Sequence, residues 1–285
     1  MGHNIKVEIL EPKGYCAGVE RAIKLAFKAR QDYPEKNVYV LGMLVHNNFV
    51  VRFLEDKGIK TATKIEDIPN ESVIIFSAHG HKVQYDALAK DKNLIVYDST
   101  CPKVQSNLDL IKKYLEKGHQ IIYIGQEGHP EAEACLSLSK NVILFHKNLL
   151  KNYQSISDPN PLIITQTTLN ICDVKSIQTD ILSVIPGAHV ANEVCASTRL
   201  RQEAFSSIKE RPDLILVVGD RNSSNTRRLL EVAKSTLPQV PSTLISSADE
   251  LDDKLLGNKK RIVISSGAST PLEIINAVSD KIKNY

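Results

Sequence analysis

Gly14-Tyr15-Cys16-Ala17-Gly18-Val19 stands between two patterned stretches. A strand-like run, Lys6-Val7-Glu8-Ile9-Leu10, leads in, and a helical pattern, Glu20-Arg21-Ala22-Ile23-Lys24-Leu25-Ala26-Phe27, leads out. Cys16 therefore falls on a strand-to-helix turn, at the positive end of a helix. That setting favours a thiolate, the form that binds metal or attacks electrophiles. The flanking glycines allow tight backbone approach. A single cysteine there reads first as a small buried hydrophobe. The same arrangement occurs twice more.

Working outward, the chain alternates strands and helices. Val38-Tyr39-Val40-Leu41 is a strand ending at Gly42, and Asn47 to Lys57 reads as a helix stopped by Gly58. Val73-Ile74-Ile75-Phe76 is a continuous apolar strand before Ser77-Ala78-His79-Gly80. Asn93 to Tyr97 is another, running into Asp98-Ser99-Thr100-Cys101-Pro102. Pro102 suits the first position of a helix that reaches Lys117 and stops at Gly118. The pattern restarts with the strand Gln120 to Ile124, Gly125, and Gly128-His129-Pro130-Glu131 opening a helix. Leu162-Ile163-Ile164 precedes Thr165-Gln166-Thr167-Thr168, and Asn192-Glu193-Val194-Cys195 precedes a helix over about 196–209. A third pass has Leu214 to Val218, Gly219, Asn222-Ser223-Ser224-Asn225 and a helix, then Ile262-Val263-Ile264 before Ser265-Ser266-Gly267-Ala268-Ser269.

The passes align by position. Each has a strand, a glycine (Gly42, Gly125, Gly219), three residues, and a polar residue opening a helix: His46, His129 or Ser223. Each has a second apolar strand ending in a polar loop, at His79, Thr167 and Ser269. Each has one cysteine at a helix start: Cys16, Cys101 and Cys195, about 85 to 95 residues apart. That period is longer than a solenoid repeat. It predicts an α/β protein of three similar small domains with parallel sheets, spanning 14–98, 99–191 and 192–285. Ligands of open α/β sheets collect at the carboxyl ends of strands. All nine aligned positions lie at such ends. Arranged about a pseudo-threefold axis, they would face one central cavity.

Composition sets the outer bounds. The chain has 285 residues, with 42% hydrophobic and 24% charged, as in an ordinary globular protein. Lys plus Arg number 36 against 33 Asp plus Glu, a net charge of +3 that argues against a dedicated nucleic-acid binder. No apolar run is long enough to span a membrane, and Met1-Gly2-His3-Asn4-Ile5-Lys6 shows no signal-peptide core and no myristoylation pattern. Five widely spaced cysteines without an export signal point to a reducing, cytoplasmic setting, with thiols kept for metal or chemistry.

Three converging thiolates make a metal site. Zinc would need a fourth ligand or an open position. A [4Fe–4S] cluster normally takes four cysteines, so three leave one iron able to bind substrate as a Lewis acid, and the cluster can deliver single electrons. That combination suits reductive removal of a hydroxyl group. Cys135, among Ala134, Leu136 and Leu138, and Cys172, after a turn, read as structural. His46, His79, His129, Ser223, Asn225 and Ser269 form a polar rim suited to phosphate at helix starts. Glu131 is a candidate general acid, with a helix-dipole role as the plainer reading. Thr167 can orient a substrate hydroxyl or Glu131, or simply satisfy its loop. Arg227-Arg228 and Lys259-Lys260-Arg261 read as solvated faces.

Taken together, Gly14-Tyr15-Cys16-Ala17-Gly18-Val19, Val45-His46-Asn47, Ser77-Ala78-His79-Gly80, Thr100-Cys101-Pro102, Gly128-His129-Pro130-Glu131, Thr165-Gln166-Thr167-Thr168, Asn222-Ser223-Ser224-Asn225, Gly267-Ala268-Ser269 and Cys195 with Arg201-Gln202 resemble the 4-hydroxy-3-methylbut-2-enyl diphosphate reductase family, the IspH or LytB proteins. The match runs in order over nearly the whole chain. The resemblance implies the last step of the non-mevalonate isoprenoid pathway, in which an allylic alcohol diphosphate takes up two electrons and two protons and loses water. It implies a [4Fe–4S] cluster held by Cys16, Cys101 and Cys195, with one iron open to substrate. It implies diphosphate binding by His46, His79, His129, Ser223, Asn225 and Ser269 with Ser224 adjacent, a proton supplied or relayed by Glu131, and a hydroxyl arm positioned by Thr167. It implies an electron donor such as ferredoxin or flavodoxin, and packing of residues 1–13 with the last domain.

The departures are an unfamiliar Arg199-Leu200 pair after Cys195 and the run Gly219-Asp220-Arg221-Asn222 beside the phosphate loop. Neither removes a matched ligand. Two rival readings remain: an iron–sulfur or redox sensor without catalysis, and a phosphate-binding or transferase protein whose cysteines are structural.

Overall fold

The computed structural model describes residues 5–146, 150–191 and 194–285. Met1 to Asn4, and Asn192-Glu193, which open the run before Cys195 and the expected third domain, lie outside the described residues. In chain order the elements are β1 (Lys6–Ile9), α1 (Ala17–Asp32), β2 (Val38–Leu41), α2 (Asn48–Glu55), β3 (Ile59–Ala62), β4 (Val73–Phe76), α3 (Gln84–Asp91), β5 (Ile95–Asp98) and α4 (Pro102–Glu116). They continue with β6 (Ile121–Ile124), α5 (Pro130–Leu136), β7 (Val142–Phe145), β8 (Leu162–Thr165), α6 (Ile171–Val184), β9 (His189–Val190) and α7 (Ala196–Glu203). The last are β10 (Leu214–Val218), α8 (Ser224–Thr236), β11 (Ser242–Ile245), α9 (Asp253–Leu256), β12 (Arg261–Ser266) and α10 (Leu272–Lys283).

Among the described residues the strands form three four-stranded sheets, ordered β3-β2-β4-β5, β7-β6-β8-β9 and β11-β10-β12-β1, with every pairing parallel. Counting strands within each pass, all three orders are second, first, third, fourth. The fourth strand of the last sheet is β1, from the other end of the chain, with Val7 beside Ile262 and Ile9 beside Ile264. Each sheet therefore has its topological switch point between its first and third strands, where open parallel sheets bind ligands.

Burial explains why these runs are strands. All residues of β4, β6, β8 and β10 are buried. In β10, Leu214, Leu216 and Val218 enter one apolar cluster and Ile215 and Val217 another, so both faces are covered. Helix-covered parallel strands read as unbroken apolar runs for this reason. Each fully buried Ile or Val in them contributes ~1.5–3 kcal/mol relative to exposure.

The helices stop where the sequence marks them. After α4, His119 N donates to Tyr114 O at 3.1 Å and Gly118 N to Leu115 O at 2.9 Å. This paired closure needs a left-handed residue, and Gly118 supplies it with φ +85. The expected helix over 196–209 ends sooner: α7 stops at Glu203, and Ala204–Ser207 tighten into a 3-10 turn in which Ser207 Oγ donates to Ala204 O. Arg261 is also not a solvated face. It opens β12 beside β1, its side chain is only 13% exposed, and it pairs with Glu8 and Glu210.

By their contacts the residues fall into two compact units. Met1–Ala17, His46–Asn48 and Cys195–Tyr285 make one, holding the β11-β10-β12-β1 sheet. Gly18–Val45 and Phe49–Val194 make the other, holding the remaining two sheets. Among the described residues, no helix is long and apolar enough to cross a membrane.

Candidate active site

Each of the three matched cysteines immediately precedes a helix: Cys16 before α1, Cys101 before α4 and Cys195 before α7. Each also follows the fourth strand of a sheet, β1, β5 and β9 respectively. All three are half-buried, and among the described residues none is in a disulfide. At the first turn of α7, Thr198 N donates to Cys195 Sγ at 3.4 Å, and the Thr198 hydroxyl lies 3.2 Å from the same sulfur. An orphan N–H group of the helix start thus faces the sulfur directly.

Seven of the expected residues lie in the unit built on β10: Cys16, His46, Cys195, Ser223, Ser224, Asn225 and Ser269. One chain of contacts joins most of them. Cys16 N donates to Ala268 O at 3.0 Å, Ala268 N to Asn225 Oδ1 at 2.9 Å, and Asn225 Nδ2 to Thr198 Oγ1 at 3.4 Å. Thr198 then reaches Cys195. Ser223 caps α8, accepting from Thr226 N, and the hydroxyl of buried Ser224 makes no hydrogen bond. The start of α8 therefore offers N–H groups, an amide and two hydroxyls, the donor set of an anion site. Gly267 makes room for this close packing, because a Cβ there would lie 2.2 Å from Thr226 Oγ1.

The segment His46–Asn48 belongs to this unit although β2 and the rest of α2, from Phe49, belong to the other. Asp220 explains how. Its Oδ2 accepts from both Asn48 N and Asn48 Nδ2 at 2.8 Å, while Oδ1 accepts from Asn222 N at 2.7 Å. Ser269 helps: Asn47 Nδ2 donates to its carbonyl at 2.6 Å, and its hydroxyl donates to His46 O at 3.2 Å. Burial lowers the pKa of His46 from the usual 6.5, Arg227 adds to that, and the Asp220 carboxylate works against it. His46 is accordingly a neutral imidazole near pH 7.

The other unit holds His79, Cys101, His129, Glu131 and Thr167. Cys101 N donates to Ala78 O at 2.9 Å, tying that cysteine to the His79 loop. The rings of His79 and His129 meet edge to face with centroids 5.6 Å apart. His129 caps α5, with Glu131 N donating to its Nδ1 at 3.2 Å, so the neutral ring carries its proton on Nε2. Glu131 is 1% exposed. Thr167 gives it both donors: Thr167 N to Oε1 at 2.9 Å and Thr167 Oγ1 to Oε2 at 2.8 Å. Burial nonetheless raises the Glu131 pKa from 4.5 to about 7, against the Thr167 hydrogen bonds, the Tyr123 hydroxyl and the charge of Lys103, which all lower it. A carboxyl poised there can give and take a proton at neutral pH.

Cys135 is buried, and burial pushes its thiol well up, so it is inert core. Cys172 departs from the structural expectation: it is exposed, on the first turn of α6, where a turn-following cysteine faces solvent. Thr198 was not legible as a site residue, Arg201 entered only as part of the family match, and Asp220 only as a departure beside the phosphate loop. Thr198 alone carried a local signal, a hydroxyl three residues after a cysteine at a helix start.

A family model described as LytB protein matches residues 7–283. The chain belongs to the LytB family. This LytB chain is 39% identical over 285 residues to the 4-hydroxy-3-methylbut-2-enyl diphosphate reductase of Brevibacillus brevis, covering 97% of this chain and 91% of that one. It is 34% identical over 288 residues to the protein of the same name from Malacoplasma penetrans, covering 96% of each. Among solved structures it superposes on the E-1-hydroxy-2-methyl-but-2-enyl-4-diphosphate reductase from Plasmodium falciparum with TM-score 0.90 at 28% identity, covering 97% of this chain and 87% of that one. A second, described as (E)-4-hydroxy-3-methyl-but-2-enyl diphosphate reductase, the terminal enzyme of the non-mevalonate pathway, gives TM-score 0.71 at 29% identity, covering 99% and 100%.

LytB proteins imply an iron–sulfur group, and the donor chemistry of this chain fits one. The matched cysteines stand at helix starts, and among the described residues none is in a disulfide. The buried guanidinium of Arg201 senses charge on both Cys16 and Cys195. Among the described residues, no three His, Cys, Asp or Glu side chains group as a single metal ion would need. A cluster spreads its thiolates over separate irons and needs no such group.

Proposed function

We propose that this LytB protein is a 4-hydroxy-3-methylbut-2-enyl diphosphate reductase that forms isopentenyl and dimethylallyl diphosphate. The observation that carries the reading is Glu131: a buried carboxyl at the start of α5, held at both oxygens by Thr167 and poised at about 7. A phosphate-binding protein has no use for such a group, and neither has a bare redox sensor.

Cys16, Cys101 and Cys195 would hold a [4Fe–4S] cluster with one iron free of protein thiolate. When bound, that cluster supplies single electrons and a Lewis-acidic iron. The diphosphate is bound by His46, His79, His129, Ser223, Asn225 and Ser269, with Ser224 adjacent. Neutral imidazole, amide and hydroxyl donors together with helix N–H groups suit an anion that must enter and leave. Thr167 orients the hydroxyl arm and holds Glu131. Glu131, as the acid, protonates the hydroxyl oxygen as the C–O bond breaks, and the oxygen leaves as water. In total two electrons and two protons enter, and one allylic hydroxyl is lost. An external one-electron donor such as ferredoxin or flavodoxin supplies the electrons. Five widely spaced cysteines suit a reducing, cytoplasmic setting.

The test is anaerobic purification with iron and sulfide analysis, followed by product analysis with the allylic diphosphate and a chemical reductant. About four irons with matching sulfide and both isomeric diphosphates as products support the reading. Iron-free protein that cannot be reconstituted, yet binds diphosphate, returns the chain to the phosphate-binding alternative. A cluster without turnover returns it to the sensor.

A further inference from the structure

Arg201 lies on α7, six residues beyond Cys195, and is 2% exposed. Its Nη2 donates to Gly14 O at 2.7 Å, and its Nη1 donates to Ser197 O at 3.2 Å and also to Ser197 Oγ. Among the described residues its buried Nε has no hydrogen-bond partner. Gly14 stands two residues before Cys16, and Ser197 two residues after Cys195. One planar guanidinium therefore ties the segment carrying Cys16 to the helix carrying Cys195, both in the same compact unit.

The charge is as unusual as the bridge. Among the described residues no carboxylate forms an ion pair with Arg201; its hydrogen bonds go to two carbonyls and a hydroxyl. Guanidinium stays protonated, and burying it without a counter-charge costs several kcal/mol. Burial lowers its pKa, and the groups that raise it are Cys16, Cys195 and then Glu11. Its electrostatic partners are therefore mainly two expected cluster ligands.

We infer that Arg201 is a positioning and charge-compensating residue: it sets the spacing of the Cys16 and Cys195 segments and offsets the negative charge of an iron–sulfur cluster held there. The inference rests on the reductase reading above. One-electron reduction makes a thiolate-bound cluster more negative. A fixed buried cation favours that state and raises the reduction potential. No polar side chain of similar size replaces it: Lys keeps the charge without the fork, and Gln keeps hydrogen bonding without the charge.

The experiment is a redox titration, followed by visible absorption and EPR, of anaerobically reconstituted wild type, Arg201→Gln and Arg201→Lys. The expected result for Arg201→Gln is a more negative midpoint, about tenfold in the reduced-to-oxidised ratio at fixed ambient potential, or about 59 mV for one electron. Arg201→Lys should stay near the wild-type midpoint while losing cluster faster to a chelator. An unshifted midpoint in cluster-loaded Arg201→Gln overturns the charge role. If Arg201→Gln takes up no cluster, Arg201→Lys decides: retention at the wild-type potential supports the proposal, and failure to load refutes charge compensation. Absence of a cluster from the wild type itself would instead be a failure of the reductase reading.

Discussion

Thr167 donates both its backbone N–H and its hydroxyl to one side chain, the carboxyl of Glu131, at 2.9 and 2.8 Å. Both bonds favour the anion, yet burial prevails and Glu131 titrates at about 7. The protonation of Glu131 is therefore a balance in which Thr167 holds one side.

Thr167→Val removes the hydroxyl donor and leaves the backbone donor. The anion loses support, so Glu131 should titrate above about 7. With Glu131 as the acid, kcat/KM falls as pH rises through that value, and the falling limb should move to higher pH in the variant. A pH–rate profile checks this; a limb that stays in place assigns it to another group.

Glu131→Gln should lose about 10²–10⁴-fold in turnover with iron content unchanged. Stability gives an independent reading. The folded pKa of Glu131 is raised from 4.5 to about 7. Its favourable contribution is thus complete below about 4.5 and is lost as pH rises through about 7, on the order of 3 kcal/mol over that window. Wild type should lose stability relative to the variant between those pH values, as read from denaturant midpoints. A constant difference would mean that Glu131 is not buried as described.

Asp220→Ala removes the acceptor of both Asn48 donors and so frees the segment that presents His46. Hydrogen bonds to a charged group are worth about 1.5–3 kcal/mol each. KM for the diphosphate substrate should rise roughly tenfold or more, with a smaller change in kcat. Loss of the carboxylate should also lower the His46 pKa further, which an NMR titration of the imidazole would detect.

Cys101→Ser should lose iron and sulfide, whereas Cys172→Ser should keep both, because Cys172 is exposed and outside the three matched positions. Metal analysis of the two variants side by side separates ligand from bystander. An intact cluster in Cys101→Ser would remove Cys101 from the ligand set.

Gly118→Ala tests the fold apart from the site. Nothing lies within 4 Å of the added Cβ, but φ is +85, so only backbone strain opposes the change. A cost of about 1–2 kcal/mol with unchanged kcat is expected from thermal melts and assay.

Four of the inner strands were legible because both their faces are covered. β4, β6, β8 and β10 are buried throughout and read as apolar runs. The outer strands β3, β7, β9 and β11 were not: β3 exposes its two middle residues and β9 both of its own. An outer strand is defined by the partner it meets, and its composition can remain that of a loop. The repeat, the glycine stops and the cysteines at helix starts were readable for the opposite reason, since each is a local rule of a few neighbouring residues.

By itself, then, the sequence determined the alternation of strands and helices, the threefold recurrence of one pattern of strands, glycines and helix starts, and the family with its matched cysteines, histidines, Glu131 and Thr167. Tertiary structure alone decided what those groups experience. Asp220 and Asn48 are 172 residues apart in sequence and Arg201 and Gly14 187. No local pattern encodes such pairs. The raised pKa of Glu131 and the buried charge of Arg201 come from desolvation. Desolvation depends on everything packed around a group, which no stretch of sequence specifies until the chain has folded.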